Sequence, residues 1–487
     1  MKTLMRGLRV LAALSAVILL AACSGTVVPG DAVSPLFDPN KAGGLVVTEG
    51  PSGVRTDSVD PTGTVENTDN SKVDKLALLS VNDLQEFWKK EFSFKKGSFE
   101  AITNLFSYNS EDPSSPRLCG SPTYDEPNAF YCHRNRMMAW DRGAFLPAGQ
   151  KYFGDISVPG VIAHEYGHAI QRMADLVGLF TPTIVYEQQA DCFAGTYMRW
   201  VAEGSSPRFA MSTGDGLNHV LAGLIVIRDP IYKEKDSDML KNGHGTGLDR
   251  VTAFQMGFTS GAQACAAIDY DNVKERRGDL PMSLQVDESG GTQSSEATID
   301  KDTIATLAEF LATTFKLQKE PAISYDTSTT CSDATATPPA SYCPSTNTIA
   351  IDLDKLKEMG SAANESKRVL LQGDNTAFSI VMSRYMLALQ HQKAGFDLNS
   401  TAAAMRTACL TGVAQRKMAE PVSLPSGKNL LLAAGDLDEA IAGLLTNGQV
   451  ASDVNGKAVP AGFTRILAFR AGLLGDTDRC LSRFKAV

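Results

Sequence analysis

The sequence predicts a mainly α-helical fold with a small β-sheet, an α+β architecture present twice in tandem. Three observations lead there. Several long stretches repeat apolar residues at helical spacing, one short stretch alternates like a strand, and eight of nine cysteines fall into two matching sets. With 487 residues, 43% hydrophobic and 21% charged, the chain is long enough for two or three domains with real cores.

Residues 1–22 read as a targeting signal: Lys2, Arg6 and Arg9 form a positive start, Val10 to Ala22 is apolar, and no acid appears. Thirteen apolar residues are too few to span a bilayer unaided. The segment ends in "LAAC", which resembles the lipobox of bacterial lipoproteins. That resemblance implies lipidation of Cys23, an N-terminal membrane anchor and an extracytoplasmic place in the cell envelope. Removing Lys2, Arg6 and Arg9 leaves 43 of 46 basic residues against 55 acidic ones, a net charge of −12. Such a balance argues against nucleic acid as a partner and against strong adhesion to anionic lipid. Residues 23–72, rich in Gly, Pro, Ser, Thr and Asp, are expected to be a flexible tether.

Beyond the tether an amphipathic helix is expected near 80–92, then a Pro and Ser-rich loop, then a short strand at Met137 to Asp141. Ser157 and Pro159 offer a start for a helix from 158 to about 177. Further helices are expected near 184–202, 216–228 and 248–266.

The cysteines carry the case for a repeat. Cys119 and Cys132 enclose twelve residues and Cys331 and Cys343 eleven, while Cys192 and Cys265 enclose seventy-two and Cys409 and Cys480 seventy. In an exported chain these four pairs are expected as disulfides. Flanking residues agree: "LQEFWKKEF" lies against "LAEFLATTF", and "GLDRVTAFQMGFTSGAQAC" against "GFTRILAFRAGLLGDTDRC". Two homologous domains, 73–270 and 301–487, are therefore expected around a linker at 271–300. The first also carries a polar insertion, "RDPIYKEKDSDMLKNGHG".

Chemistry concentrates in "VIAHEYGHAIQ". His164 and His168, four apart on a helix, project from one face and can grip one metal ion, with Glu165 placed as a base. A catalytic zinc needs a third ligand, and Glu187 in "YEQQADCFAG" can supply it, with Asp191 one turn on orienting a ligating histidine. Cys192 lies about 140° around that helix and belongs to a disulfide. Asp249 is a rival third ligand, ranked after Glu187 and Asp191. His244, in "GHGTG", could donate a hydrogen bond to the oxyanion of a tetrahedral intermediate. His133, His219 and His391 have no supporting constellation and are taken as structural.

HEYGH, EQQADCFAG and the later HGTG together resemble the neutral zinc metallopeptidase family of bacterial envelopes, a gluzincin-type group. The resemblance implies a zincin-like fold, Zn2+ held by His164, His168 and Glu187, and catalysis by Glu165. Ala169 and Gly247 depart from the expected pattern, in which a polar or bulky residue follows HEYGH and a serine ends the HGTS motif; neither is a proposed ligand.

The expected function is hydrolysis of peptide bonds in the envelope, with Met137 to Asp141 as the edge strand on which an extended peptide lies. In the second copy Ser383, Arg384 and Leu387 stand where His164, Glu165 and His168 do, and Ala404, Ala408 and Val459 replace Glu187, Asp191 and His244. Tyr166 and Tyr385, Gln171 and Gln390, Arg250 and Arg465, and Gly257 and Gly472 match, so shared residues are read as packing and lost ones as site. The second domain is expected to be non-catalytic, a scaffold or a surface for a protein partner. The alternative is a non-enzymatic zinc-binding envelope lipoprotein acting as a scaffold, which requires a closed four-ligand site. An enzyme cutting a non-peptide amide of the cell wall would use the same residues.

Overall fold

A short segment ahead of the first long helix ties distant parts of the chain together. The structure, a computed structural model, describes residues 35–485 apart from 237, 286–291, 329, 362–369, 371 and 394; the expected signal peptide and Cys23 lie outside the described residues. Strands β1 (Lys41–Ala42) and β2 (Leu45–Val46) form a hairpin closed by Gly43 and Gly44, both with positive φ. A two-residue turn needs that backbone, which glycine adopts without steric cost. Strand β3 (Gly53–Val54) then pairs with residues 209–210, and Thr48 and Ser52 bond the hydroxyls of Thr213 and Ser212. Residues 35–71 are thus packed, and the expectation of a flexible tether is wrong over that stretch. Its glycines make a turn and its hydroxyls find partners.

Helix α1 (Lys72–Glu91) is capped by Ser71 and buries Phe87 and Trp88. It leads into a three-stranded sheet of β4 (Asn104–Tyr108), β5 (Ala129–Cys132) and β6 (Met137–Asp141), in the order β4-β6-β5. β4 runs parallel to β6 and β5 antiparallel to it, and the Cys119–Cys132 disulfide closes the loop before β5. Because β6 is the central strand and is buried at every position, it cannot offer an edge to a peptide. That correction moves the free edge beside the helices to β5.

Four helices follow: α2 (Phe145–Phe153), α3 (Ser157–Met173), α4 (Thr183–Ala202) and, after β7 (Phe209–Ala210), α5 (Asp215–Val226). The expected insertion holds α6 (Met239–Asn242), before α7 (Gly247–Ala266) and α8 (Tyr270–Arg277). Helices α4 and α7 are joined by Cys192–Cys265 and cross almost in backbone contact. A Cβ on Gly257 would lie 1.7 Å from the Cys192 carbonyl oxygen, and one on Gly195 2.1 Å from that of Phe254.

The second half repeats this order. Helix α9 (Lys301–Phe315) precedes β8 (Ala322–Ser324), β9 (Ala340–Cys343) and β10 (Thr348–Ile351), again with the last strand central, its first neighbour parallel and its second antiparallel. Helices α10 (Leu353–Met359), α11 (Asp374–His391), α12 (Thr401–Met418), α13 (Asp436–Thr446), α14 (Gly462–Leu473) and α15 (Thr477–Arg483) complete it. Cys331–Cys343 and Cys409–Cys480 are both bonded. Gly472 and Gly412 repeat the close crossing, their Cβ positions 1.8 and 2.1 Å from the carbonyl oxygens of Cys409 and Phe469.

The halves share one core, and the described residues form a single compact unit. Asn218 of α5 accepts from Gly462 N at 3.1 Å, while Asp438 of α13 accepts from Gly247 N and Leu248 N at 3.0 and 2.9 Å. Each half caps a helix of the other. Part of the expected linker is helix α8, whose Arg277 pairs with buried Asp249. Among the described residues no helix is long and apolar enough to cross a membrane.

Gly257→Ala and Gly472→Ala should each lower stability by roughly 3 kcal/mol or more, since helix backbones must part to admit a methyl group. Gly178→Ala, with nothing within 4 Å of its Cβ position, should change it by less than about 1 kcal/mol. Urea unfolding midpoints of the three variants test this ordering.

Candidate metal centre

Helix α3 carries HEYGH, and its Gly167 lets α4 come close enough to complete the site. A Cβ there would sit 2.9 Å from the Ala190 Cα. The approach brings Glu187 of α4 to His164 and His168, one ligating atom of each lying within 4.8 Å of the others. Glu187 Oε2 is 3.2 Å from His164 Nε2 and Oε1 is 3.7 Å from His168 Nε2.

Both imidazoles are held from behind. His164 Nδ1 donates to Asp191 Oδ1 at 2.8 Å and His168 Nδ1 to Gln171 Oε1 at 3.0 Å, an assignment that follows from acceptor oxygens on both partners. This tautomer turns both Nε2 lone pairs toward Glu187. Asp191 is itself clamped by Arg250 of α7, with Nη2 to Oδ1 at 2.9 Å and Nε to Oδ2 at 3.0 Å. Gln171 is fixed by donation to the Tyr186 carbonyl at 2.6 Å.

Glu165, nine-tenths buried, points to the sheet side, where its Oε2 accepts from Tyr131 N of β5 at 3.0 Å. His244 comes from the insertion: Nε2 lies 3.6 Å from Glu187 Oε2 and Nδ1 3.5 Å from Asp229 Oδ1. Its side chain is 54% exposed against 9% for His164, so it stands at the mouth.

The charges favour a cation. With no ion bound, burial opposes charge on His164, yet Asp191 and Glu187 outweigh it and push its pKa up to about 10, so Nε2 then holds a proton that a metal ion would displace. Burial would raise Glu187, but His168 and His164 hold it well below the usual carboxylate range. Asp191, deeply buried, is kept low chiefly by Arg250. Burial pushes Glu165 up despite the two histidines, which favour its charged form. His244 is raised by its bond to Asp229.

All six residues singled out in the sequence, His164, Glu165, His168, Glu187, Asp191 and His244, meet here. Asp249 does not: it closes a capping box with Thr246 and pairs with Arg277, so it is no ligand. Cys192 faces away into its disulfide. His391 bonds Tyr342. Reading shared residues as packing alone was wrong for Gln171 and Arg250, which touch His168 and Asp191 directly. Tyr131 and Asp229 were missed. Tyr131 acts through its backbone, which no side-chain pattern reveals, and Asp229 is fifteen positions from the histidine it holds.

The donor set of two imidazole nitrogens and one carboxylate suits zinc and leaves a coordination position for water or substrate. Glu187 Oε2 is buried without a hydrogen-bond partner although His164 is near, as expected of an atom aimed at an ion. Residues 43–268 match the model of the family described as "Putative neutral zinc metallopeptidase". No curated protein and no solved structure matches the chain.

Asp191→Asn should weaken zinc binding by about 10- to 100-fold, because it loosens both His164 and Arg250. Competition with a fluorescent chelator measures this, with His133→Ala expected to bind as wild type.

Proposed function

We propose that this chain, which matches the neutral zinc metallopeptidase family over residues 43–268, hydrolyses peptide bonds in the cell envelope. The observation that carries the reading is the buried Glu165 beside the converging His164, His168 and Glu187. When bound, zinc supplies Lewis acidity toward the scissile carbonyl and makes water acidic near neutral pH.

Glu165 takes the proton of the attacking water and delivers it to the leaving amine. Tyr131 N orients the carboxylate for that transfer, and its raised pKa suits accepting and releasing a proton. His244, its positive charge favoured by Asp229, donates to the oxyanion. The edge of β5 beside Glu165 is the place for an extended peptide, which would lie along it by strand addition. The leader and Cys23 support an N-terminal lipid anchor, which would hold the enzyme at a membrane outside the cytoplasm.

The second half is read as a degenerate copy that lost its chemistry and kept its frame. The equal order of helices, strands, disulfides and crossing glycines supports this. Its service to the first half runs through Asp438, which accepts from Gly247 N and Leu248 N and lies 3.4 Å from Arg228. Those groups bracket the insertion that carries His244.

In Glu165→Gln, zinc content should stay at the wild-type level while turnover of a peptide library falls by about 100- to 10,000-fold. Full turnover by the zinc-loaded variant would remove Glu165 from the mechanism. Asp438→Ala should cost about 10-fold or more in kcat with zinc retained, since the His244 loop loses its anchor. Peptide kinetics alongside zinc analysis check both.

A further inference from the structure

Four carboxylates gather in the second half, far along the chain from the histidines. One oxygen each of Glu296, Asp374 and Glu439 lies within 4.8 Å of the others. Asp374 stands at the start of α11 and Glu439 on the first turns of α13. Asp436, three residues before Glu439, shares its helix face. Asp374, Asp436 and Glu439 are 5%, 5% and 3% exposed, with Glu296 at the rim.

We propose that Glu296, Asp374, Asp436 and Glu439 bind a hard divalent cation of the calcium type, at a site separate from the histidine centre. Oxygens of Glu296, Asp374 and Glu439 are spaced for it, with Asp436 beside them on α13: ligands at about 2.3–2.6 Å from one ion lie at most about 5 Å apart. An all-oxygen set without nitrogen or sulfur selects calcium or magnesium over zinc.

A second observation points to a missing partner. Asp374 Oδ1 and Asp436 Oδ1 are buried with no hydrogen-bond partner, although nearly all buried polar atoms in proteins have one. Their other oxygens are engaged, Asp374 Oδ2 by Ala297 N and Asp436 Oδ2 by Ala433 N at 2.7 Å. Each carboxylate is therefore fixed by one atom and free at the other. Glu439 Oε2 accepts from Asn375 N at 2.9 Å, and Glu296 Oε2 from Asp374 N at 3.2 Å.

Among the described residues no lysine, arginine or histidine forms an ion pair with any of the four. The backbone leaves room for the group: a Cβ on Gly373 would fall 2.0 Å from Glu439 Oε1, so a side chain there would displace that carboxylate. Consistently, burial and then mutual repulsion push Asp374 up to about 6 and Glu439 up to about 10. The cluster is unfavourable as free anions, and the amide donors at the starts of α11 and α13 offset only part of that charge.

The test uses the zinc-loaded full-length protein in detergent, titrated with Ca2+ by calorimetry and melted with and without 10 mM CaCl2. Binding in the ~10⁻⁵–10⁻³ M range with a rise in Tm of roughly 2–4 °C is expected. Mg2+ should bind at least about 10-fold more weakly. Asp436→Asn and, at the rim where folding is not at stake, Glu296→Gln should each weaken Ca2+ binding by about 10-fold or more, with zinc content unchanged. No Ca2+ heat or melting shift in wild type would overturn the proposal, leaving four carboxyls that share protons. Equal Ca2+ binding by wild type and both variants would also overturn it, by placing the ion elsewhere. Neither outcome touches the peptidase reading, whose measures are zinc and turnover.

Discussion

Asp191 is the residue on which the centre depends. One buried carboxylate bonds His164 of α3 and Arg250 of α7 while standing on α4, so three helices meet on a single charge. A buried ion pair of this kind costs desolvation and contributes little net stability, but removing one partner leaves an uncompensated charge. Its value is geometric. It sets the His164 tautomer and holds α3, α4 and α7 to one another at the centre.

The second half, with a similar order of elements, offers a comparison without that carboxylate. In the second half the sequence match sets Ala408 against Asp191 and Arg465 against Arg250, and Arg465 donates to the carbonyls of Val459, Leu444 and Pro460. Where Glu165 accepts from the backbone of β5, Arg384 donates to the Ala340 carbonyl of β9 at 2.9 Å. The link between helix and edge strand persists with its polarity reversed. The glycine crossings and disulfides are untouched, because backbone contact between helices does not depend on what lines the cleft.

The two halves are not independent bodies. Asp438 and Asn218 each cap a helix of the opposite half, the rings of Phe258 and Phe463 meet at 5.1 Å, and the hairpin around Gly43 packs on both. Asp438 of the second half holds the start of α7, next to the loop that carries His244. The loop therefore inherits its position from residues nearly two hundred places away.

The sequence by itself determined the helices, the cysteine pairs, and the identity of His164, His168, Glu165 and Glu187. Those signals are local: helical period puts residues four apart on one face, and paired spacings repeat with the frame. It did not reveal that residues 35–71 pack, although Gly43 and Gly44 marked a hairpin, because their partners Thr213, Ser212 and Lys41's contact Thr464 are remote. It made an edge strand of β6, which is central, while β5 is the edge, since strand order is a matter of pairing and alternation is blind to it. It read Gln171 and Arg250 as packing, because a residue kept in both halves can serve two different partners. Only the tertiary structure decided these points, since each rests on hydrogen bonds between groups whose sequence separation carries no pattern.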